Sequence, residues 1–493
     1  MKDRQLKQVI PELSKEQAVK MVKEEPEQAA DMLVALTKTV NVLVIKVDEL
    51  TSKVEDLEGR LSKNSSNSSK PPSSDGYRKP SPKSLRKKSG RKSGGQKGHK
   101  GSTLSKVSIP DRVINHSTAN CSCGLCLKEG VVLSEERRQV FDIPTPRLEV
   151  TEHLVQTVEC SCGKINTGIF PEGVNSPAQY GPGVRALAVY LNQYQHLPYE
   201  RTCEALRDLF GCTLSQGTLQ NILIECHKKL EKPEKAIKRH IQSSEVAHFD
   251  ETGLRINKKT RWVHSASTVS ATHYHVHDKR GADAAVSAGI LPEFKGTAVH
   301  DGWKSYMSFQ CRHGLCNAHH LRELIFIEEQ FKQKWAKKVA GLLREINISV
   351  YEAIDDGNAT LEQELQEKYT KQYEQLILEA YKENPWEKPT GPPRRGRKKK
   401  SKPLNLIERL DKQQNEVLLF MNDFSVPFDN NLAERDIRMV KLRQKISGCF
   451  RDFTGAEMFC RIRSYISSAR KNDIGAMEAL TRAFSESPFI VGS

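Results

Sequence analysis

Eight apolar residues set the first constraint on this chain. Leu36, Val40, Leu43, Val47, Leu50, Val54, Leu57 and Leu61 recur at alternating spacings of four and three. Only an α-helix aligns such positions on one stripe, and a stripe this regular is the seam of a coiled coil. Val falls mostly at a and Leu at d, the combination that favours two parallel strands. Lys46, Lys53 and Arg60 at g and Glu58 at e give mixed flanking charge. An amphipathic helix packed on its own domain is the alternative. The unbroken length favours self-association, so a homodimer or higher assembly is expected.

The seam stops at Asn64. Residues 64–75 are Ser, Asn, Lys, Pro and Asp, with nothing to build a core, and read as a flexible linker. Residues 78–100 carry ten Lys and Arg and no acid. Among them, Arg86, Lys87, Lys88, Arg91, Lys92, Lys97 and Lys100 are the candidate DNA contacts, acting on phosphates rather than on sequence. The whole chain agrees: 77 Lys+Arg against 61 Asp+Glu give a net charge of +16, which points to a polyanionic partner. No apolar run is long enough to span a bilayer. The polar start, Met1-Lys-Asp-Arg-Gln, lacks the apolar stretch of a secretion signal, so a cytoplasmic protein is expected.

Twelve cysteines are too few for a disulfide framework in 493 residues, and some are clustered. Cys121, Cys123 and Cys126 form one cluster, and Cys160 and Cys162 the other. Between them, runs such as Arg147-Leu-Glu-Val-Thr-Glu-His-Leu-Val alternate like strands. Paired thiolates on two tight turns supply four ligands to tetrahedral Zn²⁺. Cys121, Cys123, Cys160 and Cys162 are the favoured set, with Cys126 able to replace Cys121 or Cys123. Further on, residues 199–209 have helical spacing, Gly211 is placed to end that helix, and Ser215 to cap the next. That is the outline of a helix-turn-helix.

Chemistry is concentrated in three acids. Residues 245–256 read as a strand with Asp250 in its middle. Two more strands and a short helix follow, and then a strand ends in Asp301-Gly-Trp. This is the order of a ribonuclease-H-like sheet, in which adjacent strands bring two carboxylates together. Hard divalent cations take oxygen ligands, and a metal-assisted phosphoryl transfer needs a third carboxylate from a later helix. Glu434 is the candidate, with Asp429 and Asp436 competing. Singly, Asp250 reads as a strand-end cap, Asp301 as a turn residue and Glu434 as half of an i,i+4 pair with Arg438.

The ordered blocks resemble the DDE transposases of the insertion-sequence-sixty-six family. They are the seam helix, Asn64-Ser-Ser-Asn-Ser-Ser-Lys-Pro-Pro-Ser-Ser-Asp75, the glycine-interrupted basic run, the Cys clusters, Gln179-Tyr-Gly-Pro182, Leu209-Phe-Gly-Cys-Thr-Leu-Ser-Gln-Gly-Thr218, Asp250-Glu-Thr-Gly, Asp301-Gly-Trp-Lys-Ser-Tyr306, Cys316-Asn-Ala-His319, Asp429-Asn-Asn-Leu-Ala-Glu434-Arg and Arg443-Gln-Lys-Ile-Ser-Gly-Cys-Phe450. The resemblance implies Asp250, Asp301 and Glu434 as the triad that binds Mg²⁺ or Mn²⁺, element ends and target DNA as partners, companion proteins of the same element, and work at the bacterial nucleoid. Cys316 and His319 match a block without a chemical role; packing, or positioning of the Asp301 strand, is expected. The competing reading is a non-enzymatic DNA-binding repressor.

The expected architecture is multidomain α+β. It runs from a helical region with the coiled coil (1–63) through a disordered basic linker (64–105) to a zinc-ribbon-like β module (106–178). A helix-turn-helix-like domain (179–243), a ribonuclease-H-like catalytic domain (244–475) with a helical insertion at about 330–425, and a C-terminal tail (476–493) follow. The insertion carries a second basic run, 394–400, read as a disordered loop after four prolines.

Overall fold

The computed structural model describes residues 14–68, 104–116, 134–144, 146–386 and 400–492. Cys121, Cys123, Cys126, the seven candidate linker cations and all but the last residue of the 394–400 run lie outside them. The chain is mixed α/β and divides into two compact units, Met1–Pro82 with Asn317–Gln414, and Lys83–Cys316 with Asn415–Ser493.

The first unit is helical where described. Ser14 opens the helix Lys15–Glu24 with a capping box: its hydroxyl accepts the Gln17 N–H while the Gln17 side chain accepts the Ser14 N–H. Pro26 then starts a single helix, Pro26–Leu61, that carries the whole seam. From Leu36 to Leu57 its seam side chains stay about half exposed, from Val40 at 47% to Leu36, Val47 and Leu50 at 59%, and Leu61 at the helix end is more exposed still. Residues 64–68, expected to begin a flexible linker, instead form a closed turn. The Asn64 N–H donates to Asn67 Oδ1 at 2.8 Å, and Asn67 Nδ2 donates to Ser62 O and Glu329 Oε2. Asn side chains imitate backbone in such turns, a signal that apolar patterning does not register. The expected insertion is a helical bundle, Asn317–Phe331, Lys334–Asp355, Gln363–Glu383 and Lys402–Lys412, built on buried Trp335, Leu343, Tyr373 and Ile407. It begins about a dozen residues earlier than expected.

In the second unit a five-stranded mixed sheet carries the acids. Its strands are Val246–Ile256 (β3), Lys259–Ser267 (β4), Thr272–His277 (β5), Thr297–His300 (β6) and Arg312–Leu315 (β7), preceded by the short strands Thr157–Glu159 (β1) and Ile165–Thr167 (β2). The order is β5-β4-β3-β6-β7. The β3–β4 and β4–β5 pairs are antiparallel, whereas β3–β6 and β6–β7 are parallel. Asn257 and Lys258, with φ of 45° and 62°, make the tight turn that sets the β3–β4 register.

Residues alternate faces along β3. Ala247 and Phe249 pack with Ile237, Phe294, Ala298 and Tyr306 on one side; Leu254 and Ile256 pack with Ile437, Val440 and Phe459 on the other. The second side is covered by the helices Asn431–Ser447 and Phe453–Lys471.

Three expectations change here. Helices Tyr199–Phe210 and Gln216–Lys229 form as read, with Gly211 left-handed at φ 65° and Ser215 Oγ accepting the Thr218 N–H. Yet Leu206, Leu219 and Leu223 share one core with Ile462, Ile466, Leu480 and Phe484, so residues 179–243 do not close a core of their own. The expected tail contains the helix Ala476–Phe484, buried in that core. The alternating run 147–155 forms no strand: Val150 and Leu154 are exposed, and only β1 and β2 pair within the described part of 106–178. Alternation produces a strand only where another surface covers its apolar side, and the described residues offer none.

Candidate active site

Parallel register brings the first two acids together. Val246, Ala247 and His248 pair with Thr297, Ala298 and Val299, and continuing by two residues sets Asp250 opposite Asp301. Both lie on the side of the sheet covered by the helix Asn431–Ser447. Asp301 follows the last residue of β6 and precedes Gly302, whose φ of 82° turns the chain away. The Trp303 N–H donates to Asp301 Oδ1 at 2.9 Å.

Glu434 stands in the first turn of the covering helix, where aligned peptide dipoles favour a negative charge. One buried amide anchors that helix start. Asn430 is 1% exposed; its Oδ1 meets His248 Nδ1 at 2.9 Å, its Nδ2 donates to Phe249 O at 2.8 Å, and its backbone N–H donates to Cys316 Sγ at 3.2 Å. Cys316 in turn donates its N–H to His300 O at 2.9 Å, tying down the residue before Asp301. Its Sγ comes within 4.8 Å of a Glu434 carboxylate oxygen. Cys316 thus touches the end of β6 through its backbone and the start of the Glu434 helix through its thiol. His319 belongs to the helical unit.

Burial, followed by the charges of Glu251, Glu434 and Asp301, pushes the Asp250 carboxyl well above its usual range. Of the three contenders for the third position, Glu434 is the one that acts on Asp250. Asp429 caps its own turn by accepting the Asn431 N–H at 3.0 Å. The Asp436 carboxylate accepts from Ser267, Thr272 and Lys471 at 2.7–2.9 Å, on the β4–β5 side. Mutual repulsion among carboxylates around a buried one is relieved by a hard cation, and an all-oxygen donor set suits Mg²⁺ or Mn²⁺.

Glu251, next in sequence, points to the opposite face. Burial raises its carboxyl too. It accepts from Arg280 Nε at 2.8 Å and from the Tyr306 hydroxyl. Asn430, His248, Glu251, Arg280 and Tyr306 were not singled out from the sequence. The Asp-Glu, Asp-Gly-Trp and Asp-Asn-Asn blocks contain Glu251, Tyr306 and Asn430, but nothing local distinguishes a buried hub from a surface polar residue.

Cys160 and Cys162 lie exposed on the β1–β2 turn, which Gly163 closes at φ 81° with its N–H on Cys160 O. Hydrogen bonds from the Cys162 backbone and side chain lower the Cys160 thiol pKa, easing formation of a thiolate that suits a soft metal. The first cysteine cluster falls outside the described residues.

Among the described residues no helix is long and apolar enough to cross a membrane. A family model described as Transposase IS66 family matches residues 177–458, more than half of the chain. A family of unknown function (DUF6444) matches residues 13–105. No curated protein gives a sequence match.

Proposed function

Because the chain belongs to the IS66 transposase family, we propose that it binds the ends of an insertion element and catalyses DNA cleavage and strand transfer through Asp250, Asp301 and Glu434. The observation that carries this reading is the convergence of Asp250 with Asp301 and Glu434 on one covered face of the mixed sheet. Three antiparallel strands followed by two parallel ones support a ribonuclease-H-like catalytic domain.

The reaction is phosphoryl transfer. Water attacks the phosphodiester at an element end, and the bond to the 3′ oxygen breaks, freeing a 3′-hydroxyl. That hydroxyl then attacks a target phosphodiester, forming one bond and releasing another 3′ oxygen. Mg²⁺ or Mn²⁺ held by Asp250, Asp301 and Glu434 would supply Lewis-acid stabilisation of the phosphate charge. The chain's part is to fix the three carboxylates: Asp250 by burial in β3, Asp301 by its bond from Trp303, and Glu434 through Asn430 and the helix start.

The exposed seam of helix Pro26–Leu61 supports pairing of two copies, which suits an enzyme acting on two ends. The cations of 78–100 are the proposed contacts to the DNA backbone. Cys160 and Cys162 with two of Cys121, Cys123 and Cys126 are the proposed zinc ligands; metal analysis of purified protein without zinc removes that site. Companion proteins of the element are further proposed partners.

Purified protein, labelled element ends and Mg²⁺ test the reading. Wild type releases a 3′-hydroxyl at the end, and Asp250→Asn binds the ends but does not cleave, since it removes an anionic ligand at nearly constant volume. End binding without cleavage by wild type favours the non-enzymatic repressor instead.

A further inference from the structure

The three-acid reading leaves the Glu251–Arg280 pair without a task. The Glu251 side chain is 2% exposed and faces away from Asp250. Enclosing an ion pair is no route to stability, because apolar residues of similar volume serve as well or better. The pair is also elaborately held. The Arg280 guanidinium lies 4.3 Å from the Trp303 ring centre and 5.0 Å from that of Trp262. Its Nε and Nη2 bond Glu251, whose other oxygen takes the Tyr306 hydroxyl. Three separate segments thus converge on the cation carried by the loop after β5: β3, β4 and the turn after Asp301.

What this leaves open is specific. Two indole rings lie against the guanidinium and one edge is bonded, yet the side chain is 40% exposed. Among the described residues no acceptor reaches Nη1. A guanidinium immobilised in this way has already lost its rotamer freedom, and its free edge has the geometry of a phosphate-oxygen donor. Trp303 connects it to the chemistry, since the same residue that stacks on Arg280 donates its N–H to Asp301.

We propose that Arg280 is a phosphate-binding residue of this active site, its free edge contacting a non-bridging oxygen of a DNA phosphate beside the scissile one. Glu251, Trp262, Trp303 and Tyr306 are its positioning residues. Glu251 offsets the charge of Arg280, so the contribution is directed hydrogen bonding rather than long-range attraction. The inference rests on the transposase reading above.

The test uses full-length protein and element-end duplexes carrying one methylphosphonate, which replaces a non-bridging oxygen by methyl, at each phosphate flanking the cut in turn. Single-turnover cleavage is read in Mg²⁺ and end binding in Ca²⁺. Wild type loses about 10- to 100-fold in cleavage at one flanking position, the scale of a hydrogen bond to a charged group. Arg280→Gln shows a similar loss on unmodified DNA and is then indifferent to methylphosphonate at that position. Arg280→Lys recovers only part of the rate, lacking the planar fork. If the losses from variant and modified DNA multiply at every position, Arg280 is a brace and the proposal is overturned. Should Arg280→Gln not fold, the wild-type scan decides: insensitivity at every flanking phosphate overturns it equally. Wild type that binds ends but cleaves none removes the transposase reading and this proposal together. Cleavage without coupling to Arg280 removes this proposal alone.

Discussion

Asn430 bonds His248, the Phe249 carbonyl and the Cys316 thiol from a position 1% exposed, between the strand of Asp250 and the helix of Glu434. Truncating it strands a buried donor, the His248 Nδ1–H, and a buried acceptor, the Phe249 carbonyl, both on β3. Each buried group left unpaired costs about 1–3 kcal/mol. Asn430→Ala is therefore expected to lower unfolding free energy by roughly 2–4 kcal/mol. It should slow cleavage far more than it weakens end binding, because the helix start carrying Glu434 loses its anchor. Urea denaturation beside single-turnover cleavage checks this; an unchanged cleavage rate would show that Glu434 is held by other means. Asp436 makes the opposite kind of contact. Its bonds to Ser267, Thr272 and Lys471 fasten the same helix to β4, β5 and the end of the helix Phe453–Lys471, which is a packing task.

Among the elements, helix Pro26–Leu61 carries the most unsatisfied apolar surface. Leu36, Leu43, Leu50 and Leu57 are all more than half exposed, as are Val42, Val44 and Ile45 beside them. Burying such side chains is worth about 1.5–3 kcal/mol each. Replacing Leu43 and Leu50 by Gln in both strands of a pair changes four side chains, each already about half covered, so association should weaken by roughly 3–6 kcal/mol. Sedimentation velocity should then show monomer, with single-end binding kept and paired-end complexes lost. A variant that still pairs would mean that the seam is not the contact. The 147–155 segment is the converse case: it has strand-like alternation but no covering surface, and it stays outside the sheet.

For the whole molecule, five imidazoles with lowered pKa values contribute to the response to acid: His196, His264, His275, His300 and His320. Burial, with Arg463 and Arg443 nearby, lowers His196 to about 4. Burial lowers His264 to about 4, aided by the charges of His277 and Arg280 against a bond to the Lys279 carbonyl. Burial and neighbouring His273 lower His275 to about 3. In each case the unfolded chain takes up a proton near pH 6.5 that the folded chain refuses until about pH 4 or below. Stability is thus full above pH 6.5 and falls as pH drops through that window. Between pH 7 and 5 the loss approaches about 2 kcal/mol for each histidine. Urea midpoints of the full chain at the two pH values test this; a flat profile would mean that the imidazoles are hydrated in the folded state.

Some of this was legible from the chain alone because its causes are local. Helical phase along 36–61 aligns the seam whatever surrounds it. Gly211 ends one helix and Ser215 begins the next through bonds made within a few residues. The strands bearing Asp250 and Asp301 showed in their own runs of apolar residues, and the ordered blocks sufficed to identify the family. Tertiary structure decided what depends on residues far apart. Strand parity sent Asp250 toward the Glu434 helix and Glu251 toward Arg280, although the two are adjacent and chemically alike. Packing turned Asp436 away from Asp250 and brought Glu434 to it. Ala476–Phe484 became core rather than tail by fitting against helices some 250 residues earlier. A carboxylate in the sequence carries no mark of what it will face; that is set by register and by which surfaces meet.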